Sequence, residues 1–316
     1  MGTPESAVPS LRRCLQDGHE VVAVWTQPDR PSGRGNKISP PPVKEFALSR
    51  GLTVHQPNKI KTEQAAELFR SHNADVAVVV AYGRILPSSF LEAPAGGCVN
   101  VHFSLLPRYR GAAPVNWAIV NGETETGVTT MFIEPELDAG PILLQQRTAI
   151  ETTETAPALL QRLSETGAEL LGETLKRLPQ VSPQAQDHSA ATFAPLLKKE
   201  DGLIDWSHNA VAIERAVRGF QPWPNAHTTF RSSGLTIWRA ELVAVRNGYV
   251  SSASGTMSLG TPGTVIGARH DDVIVSCGEE TALRLLEVQP QARRRMNVRD
   301  FINGSQLKVG DRFGEE

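Results

Sequence analysis

The sequence predicts an α/β protein in two parts: a Rossmann-like, doubly wound parallel sheet, followed by a small OB-like antiparallel β-barrel. Three observations predict it. Strand-like and helix-like segments alternate through the first half of the chain. A stretch rich in Pro, Gln and Ser interrupts that pattern near residue 184. Short strands spaced by Gly, Ser and Asn fill most of the remainder. With 316 residues the chain exceeds one ordinary hydrophobic core. The expected division is an α/β domain over 1–183, a linker over 184–202 and the barrel over 203–316.

The elements follow in order. VVAVWT (21–26), VAVVVAYG (76–83), CVNVHF (98–103) and TGVTTMFI (126–133) are β-branched runs bounded by Gly, Pro or Asp, and read as buried parallel strands. Apolar positions recur at helical spacing over 62–72, 113–121 and 156–178. LPQVSPQAQDHSAATFA (178–194) has the polar, Pro-interrupted character of a linker. Beyond it a helix is expected over 209–220. The strands AHTTFR, LTIWRAELVAV, GTVIGAR, DVIVSC and ALRLLEVQP come next. No internal repeat is present.

Composition excludes several classes. Hydrophobic residues at 40% and charged residues at 21% are the balance of a folded globular chain and not of a disordered one. Cys14, Cys98 and Cys277 are odd in number and far apart, so they read as buried thiols of a reducing compartment and not as a metal or redox pair. No apolar run reaches the ~20 residues of a membrane helix and no signal-peptide core opens the chain, so a cytoplasmic location is expected. A net charge of −2 leaves any nucleic-acid contact to local patches. One such patch is the tail with Arg293, Arg294, Arg295, Arg299, Lys308 and Arg312 against Asp300 and Asp311. Such a run is more often a solvated face.

Ligands of open α/β sheets sit beyond the carboxyl ends of strands. Asn100 and His102 alternate with Val99 and Val101, and period-two geometry puts both polar groups on one face. Asp138 follows the next strand, in the loop ELDAGP. From spacing alone, a hydrogen-bonded core Asn and His and a turn-forming Asp remain open readings. His102 has no second His, Cys or acidic residue at ligand spacing on its own strand, so no metal is expected.

The context around these residues is specific. NVHFSLLP (100–107), continued by RYRGAAP (108–114), resembles the signature of the 10-formyltetrahydrofolate-dependent formyltransferases, and LDAGPIL (137–143) resembles its second half. QPDRPSGRG (27–35) and VAYGRILP (80–87) resemble two further landmarks of the branch that formylates methionyl-tRNA. KKEDGLIDW (198–206) and RAVRGFQPWPNA (215–226) resemble the entry to that branch's second domain. The resemblance implies formyl transfer from 10-formyltetrahydrofolate to the free amine of methionyl-tRNA, by a monomeric enzyme without membrane attachment. It implies Asn100, His102 and Asp138 as the catalytic set, and Ser104, Leu105, Leu106 and Pro107, with Tyr82 and Gly83, at the folate. Arg34, Lys198, Lys199, Arg293, Arg294 and Arg295 are the residues it suggests for the tRNA.

Competing readings are sibling formyltransferases acting on an amino-sugar nucleotide or on glycinamide ribonucleotide, and a catalytically silent RNA-binding protein. The 27–35 loop argues against the siblings, and the intact Asn100, His102 and Asp138 set argues against the last. Three departures from the pattern carry expectations. Phe103 stands where a small residue or Pro is usual and is expected at the pocket rim. Glu136 replaces Gly and puts the Asp138 loop backbone in question. Gly2–Pro4 resembles the turn that follows the family's first strand, yet Met1 precedes it at once. The central strand is therefore expected to be missing, with the natural start upstream and the chain as written poorly folded and weakly active. The 27–35 and 80–87 loops are both expected to be too polar for core.

Overall fold

The structure, a computed structural model, describes residues 1–32, 37–252, 255–269 and 271–315. It divides into two compact units. The first holds residues 1–114, 125–149 and 158–195; the second holds 115–124, 150–157 and the chain from 196 onward.

In the first unit, strand β1 (Val24–Trp25) pairs in parallel with β2 (Val54–His55). A separate four-stranded sheet runs β3 (Ala77–Val79), β4 (Cys98–His102), β5 (Glu125–Phe132), β6 (Ile142–Ala149). The β3–β4 pair is parallel, as expected. The β4–β5 and β5–β6 pairs are antiparallel, so the parallel assignment of 126–133 is corrected and the sheet is mixed. The reason is physical: a run buried on both faces, as residues 126–131 are, reports burial and not strand direction.

Helices cover the sheet. α1 (Val8–Gln16) and α2 (Pro42–Ser49) precede α3 (Glu63–Ser71), which starts where Thr62 Oγ1 accepts the Ala65 N–H and turns Ala65, Ala66 and Phe69 inward. The long α4 (Ala156–Arg177) lies close to the sheet because Gly167 has no side chain. A Cβ there would stand 2.9 Å from Val101 and 3.5 Å from the Phe103 ring. Phe103 is therefore buried core on the side opposite His102, and not part of a pocket rim. The 80–87 segment is likewise corrected, since Val80, Tyr82 and Leu86 are all buried.

The stretch expected to be a linker is built into the first unit over residues 184–195. Gln184 exchanges both main-chain hydrogen bonds with Ile142, and Phe193–Ala194 pairs in parallel with Arg110–Gly111. Its side chains are mostly exposed while its backbone is bonded, a combination that composition cannot distinguish from a free linker.

In the second unit, α5 (Ala210–Gly219) starts at an Asn209 cap and packs on an antiparallel sheet. The sheet order is β7 (His227–Phe230), β8 (Ser233–Leu242), β11 (Thr281–Pro290), β10 (Asp272–Cys277), β9 (Val265–Arg269). These strands match the expected runs. Ile213, Val217, Ile237, Val275, Leu285 and Phe301 share one core, with Phe301 supplied by α6 (Val298–Ser305).

Candidate active site

Strand β4 carries the first two candidate residues. Cys98, Val99 and Val101 are buried, Asn100 is half-buried and His102 is buried. Asn100 lies opposite Val79 on β3 and Met131 on β5, and His102 lies opposite Thr129. The antiparallel β5–β6 turn then returns Asp138 toward the end of β4. His102 Nδ1 stands 3.7 Å from Asp138 Oδ2.

The imidazole is oriented by its other nitrogen. Nε2 lies 2.9 Å from the Tyr109 carbonyl oxygen, which can only accept, so Nε2 carries a proton. Nδ1 is left facing the carboxylate. Asp138 Oδ2 in turn accepts the Gly111 N–H at 2.8 Å. Gly111 is required here: its φ is +122° and a Cβ would meet the Ala194 carbonyl at 2.5 Å.

The Asp138 loop is held from behind by residues that the sequence reading missed. Gln186, buried, donates from Nε2 to the carbonyls of Asp138 (2.9 Å) and Gly140 (2.7 Å). Its Oε1 accepts from Arg110 Nη2 (2.8 Å) and Nε (3.1 Å). Arg110 is itself buried, and Glu136 supplies its counter-charge at 3.4 Å. Glu136 therefore serves the loop through its side chain. The positive φ falls on Asp138 (+51°) and not on Glu136. No periodic pattern flags Gln186, because it sits in a polar stretch. Arg110 was legible only as part of the RYRGAAP motif.

The 104–107 turn is braced from below. Ser104 is fully buried and donates to the Arg108 carbonyl at 2.6 Å. Thr129 Oγ1 donates to the Ser104 carbonyl at 2.7 Å and accepts the Leu106 N–H at 3.2 Å, and Gln145 donates to the Leu106 carbonyl at 2.8 Å. Ser104 and the Leu106 backbone are thus engaged within the protein, and the half-buried side chains of Leu105 and Pro107 form the open part of the turn. The Tyr82 ring belongs to the core, while its carbonyl and that of Gly83 accept from Gln27 Nε2 at 3.1 and 3.0 Å.

The basic candidates are spread out. Arg34 lies outside the described residues. Lys198, Lys199, Arg293 and Arg294 are exposed. Arg295 is ion-paired with Glu287 and stacks over Trp238 at 4.9 Å, and Arg299 binds Asp271 at 2.7 Å. Among the described residues, no group of three His, Cys, Asp or Glu side chains is placed to hold a metal.

Residues 1–175 match the family described as formyl transferase, and 196–306 match the formyl transferase C-terminal domain. The methionyl-tRNA formyltransferase of Trichlorobacter lovleyi is 48% identical over 312 residues, covering 98% of this chain and 94% of that protein. The methionyl-tRNA formyltransferase of Bacillus subtilis is 41% identical over 99% of this chain and 96% of that protein. A solved N-formyltransferase from Helicobacter canadensis, complexed with folinic acid and dTDP-3-aminofucose, shares the fold at a TM-score of 0.65 and 19% identity, over 90% of this chain and 96% of that one. With both domains matched and relatives of this identity along nearly its whole length, the chain belongs to the formyl transferase family.

Proposed function

We propose that this protein transfers the formyl group of 10-formyltetrahydrofolate to the free amino group of initiator methionyl-tRNA, giving the N-formylmethionyl-tRNA used in translation initiation. The observation that carries this reading is the similarity of the full chain, at 41–48% identity, to methionyl-tRNA formyltransferases. It spans the second unit as well as the first, so it reaches beyond the formyl donor to the acceptor.

Asn100, His102 and Asp138 carry the chemistry in this reading. The amine nitrogen attacks the formyl carbon, its lone pair forms the new C–N bond, and the carbonyl electrons move onto oxygen. The Asn100 amide donates to that oxyanion without changing charge, an interaction typically worth ~2.7–4 kcal/mol in the transition state. The ammonium formed on attack must lose a proton, and Asp138 takes it directly or through water. Collapse of the tetrahedral intermediate then breaks the bond to the folate nitrogen, which leaves with the proton that Asp138 returns, directly or through the same water. His102, tied by Nε2 to Tyr109, keeps Nδ1 against Asp138 and stabilises the carboxylate when it is charged.

Leu105 and Pro107 offer an apolar wall to the flat pteridine, with Ser104 and Leu106 setting the turn and the 82–83 backbone as a second edge. Lys198, Lys199, Arg293 and Arg294 reach the tRNA backbone from the second unit, whose antiparallel sheet and terminal helix support an OB-like reading. Three free, buried cysteines favour a cytoplasmic location.

Purified protein given 10-formyltetrahydrofolate, with methionyl-tRNA and an amino-sugar nucleotide offered in parallel, tests the assignment. Formyl transfer to the tRNA is expected. Formylation confined to the sugar nucleotide would replace this reading with the sibling activity.

A further inference from the structure

One level of the four-stranded sheet carries the whole segment 104–109. His102 on β4, Thr129 on β5 and Gln145 on β6 lie directly opposite one another, so their side chains share a face. Each of them reaches that segment. His102 Nε2 donates to the Tyr109 carbonyl at 2.9 Å, Thr129 bonds to Ser104 and Leu106, and Gln145 Nε2 donates to the Leu106 carbonyl at 2.8 Å. The turn also leans on β5 itself. A Cβ on Gly127, two residues before Thr129, would stand 2.5 Å from Leu105 Cδ2.

Thr129 is the centre of the row. It is fully buried, and its hydroxyl has no bonding capacity left. Its proton goes to the Ser104 carbonyl at 2.7 Å, while its lone pairs accept the Leu106 N–H at 3.2 Å and Gln145 Nε2 at 2.9 Å. Gln145 likewise spends both amide hydrogens, on Thr129 and on the Leu106 carbonyl. The main chain on either side of Leu105 is therefore fixed by one hydroxyl. Valine would fill the same space on a buried strand, so packing alone does not call for threonine here.

We infer that Thr129 and Gln145 are positioning residues for the folate co-substrate. They act through the turn and not on the reacting atoms: their bonds set the height and tilt of the wall formed by the half-buried Leu105 and Pro107. The inference rests on the proposed use of the 104–107 turn for the pteridine. It divides one row of side chains between two tasks. The β5 and β6 members govern folate affinity, and the β4 member, His102, serves the transfer itself.

The test compares the full-length parent with Thr129→Val, Thr129→Ser and Gln145→Leu. Folate binding is measured with 5-formyltetrahydrofolate, which carries its formyl group on the other nitrogen, and kinetics with 10-formyltetrahydrofolate and methionyl-tRNA. Thr129→Val leaves two main-chain groups of the turn without their partner, so it is expected to weaken folate binding and raise the donor KM about tenfold. Its kcat and its KM for methionyl-tRNA are expected to stay within about threefold of the parent's. Thr129→Ser, which keeps the hydroxyl, should recover folate affinity to within about twofold of the parent. Gln145→Leu should weaken folate binding by roughly threefold, and its exposed position keeps the test open if Thr129→Val does not fold. Unchanged folate affinity in Thr129→Val and Gln145→Leu would overturn the inference. So would a loss that Thr129→Ser fails to recover, or a fall in kcat as large as the rise in donor KM. Folate binding does not depend on the acceptor, so formylation of another amine leaves this comparison standing. A parent that binds no folate would overturn the reading of the turn and this inference with it.

Discussion

The two halves of the first unit solve the same problem to different degrees. Around β4 and β5 every strand has a neighbour, and the loops at their ends are cross-linked: His102 to Tyr109, Asp138 to Gly111 and Gln186, the 104–107 turn to Thr129 and Gln145. Around β1 and β3 the strands are joined through two residues, with a cavity beside them. The contrast separates two properties that are often conflated. The proposed catalytic groups are placed within the β4–β5 half, whereas the cavity lies on the other side, between the β1 and β3 strands. Substitutions at the site should therefore cost turnover without stability, and perturbations of the cavity side should do the reverse.

The sharpest break of that contrast is at the chemistry. If His102 and Asp138 act as proposed, His102→Ala and Asp138→Ala should each lower turnover by roughly a hundredfold or more, because groups acting in the transition state would be removed. The thermal midpoint should stay near that of the parent. A turnover within a fewfold of the parent would take either residue out of the catalytic set.

On the other side of the sheet, pH is the probe. Burial lowers the Met1 ammonium to about 6 despite the opposing pull of Cys14 and Cys98. Between pH 8 and pH 6 the unfolded chain holds this proton and the folded chain does not. The contribution is therefore fully present above pH 8 and is lost as pH falls toward 6. A shift of this size corresponds to roughly 2–3 kcal/mol. Burial also holds His55 and His72 below their ordinary value, and His72 additionally feels His55, so the loss continues below pH 6.5. Thermal midpoints recorded from pH 8.5 to 5.5 should fall throughout. A flat profile between 8 and 6 would mean that the amine is solvated.

Gln186 tests whether the two properties separate within the site half itself. Gln186→Glu keeps the acceptor for Arg110 but loses the N–H groups that hold the Asp138 and Gly140 carbonyls. Turnover is expected to fall about tenfold, with a smaller change in KM for the folate, as the carboxylate loses its fixed position. Equal losses in kcat and in the melting temperature, with Gln186→Leu no different, would make Gln186 a packing residue only.

Much of this was legible in the sequence, for reasons that differ by residue. The same-face placement of Asn100 and His102 follows from period two, and the helix over 62–72 follows from the 3.6-residue spacing of its apolar positions. The nearness of Asp138 came from the motif, since no local rule relates residues 36 apart. The direction of 126–133 was hidden because burial has no polarity along a strand. Gln186 was hidden because a backbone-bonded polar segment has the composition of a linker. Phe103 was misread as rim although alternation with His102 already put it on the opposite face, toward Gly167.

The smallest effect belongs to the basic tail of the second unit, and it separates exposed charge from structural charge. Arg293 and Arg294 are exposed, whereas Arg295 pairs with Glu287 and lies over Trp238. If the exposed pair meets tRNA phosphates, each arginine releases about one counterion on binding. Arg293→Gln with Arg294→Gln should then flatten the slope of log affinity against log salt by roughly 1–2. Arg295→Gln leaves Glu287 without that partner and uncovers the indole, so it should lower the melting temperature by a few degrees while changing the salt slope by less than the double variant. Fluorescence titrations with methionyl-tRNA at several salt concentrations, beside melting curves, distinguish the two. An unchanged slope in the double variant would return Arg293 and Arg294 to a solvated face. A slope change carried by Arg295 alone would instead mean that its pairing with Glu287 opens when the tRNA binds.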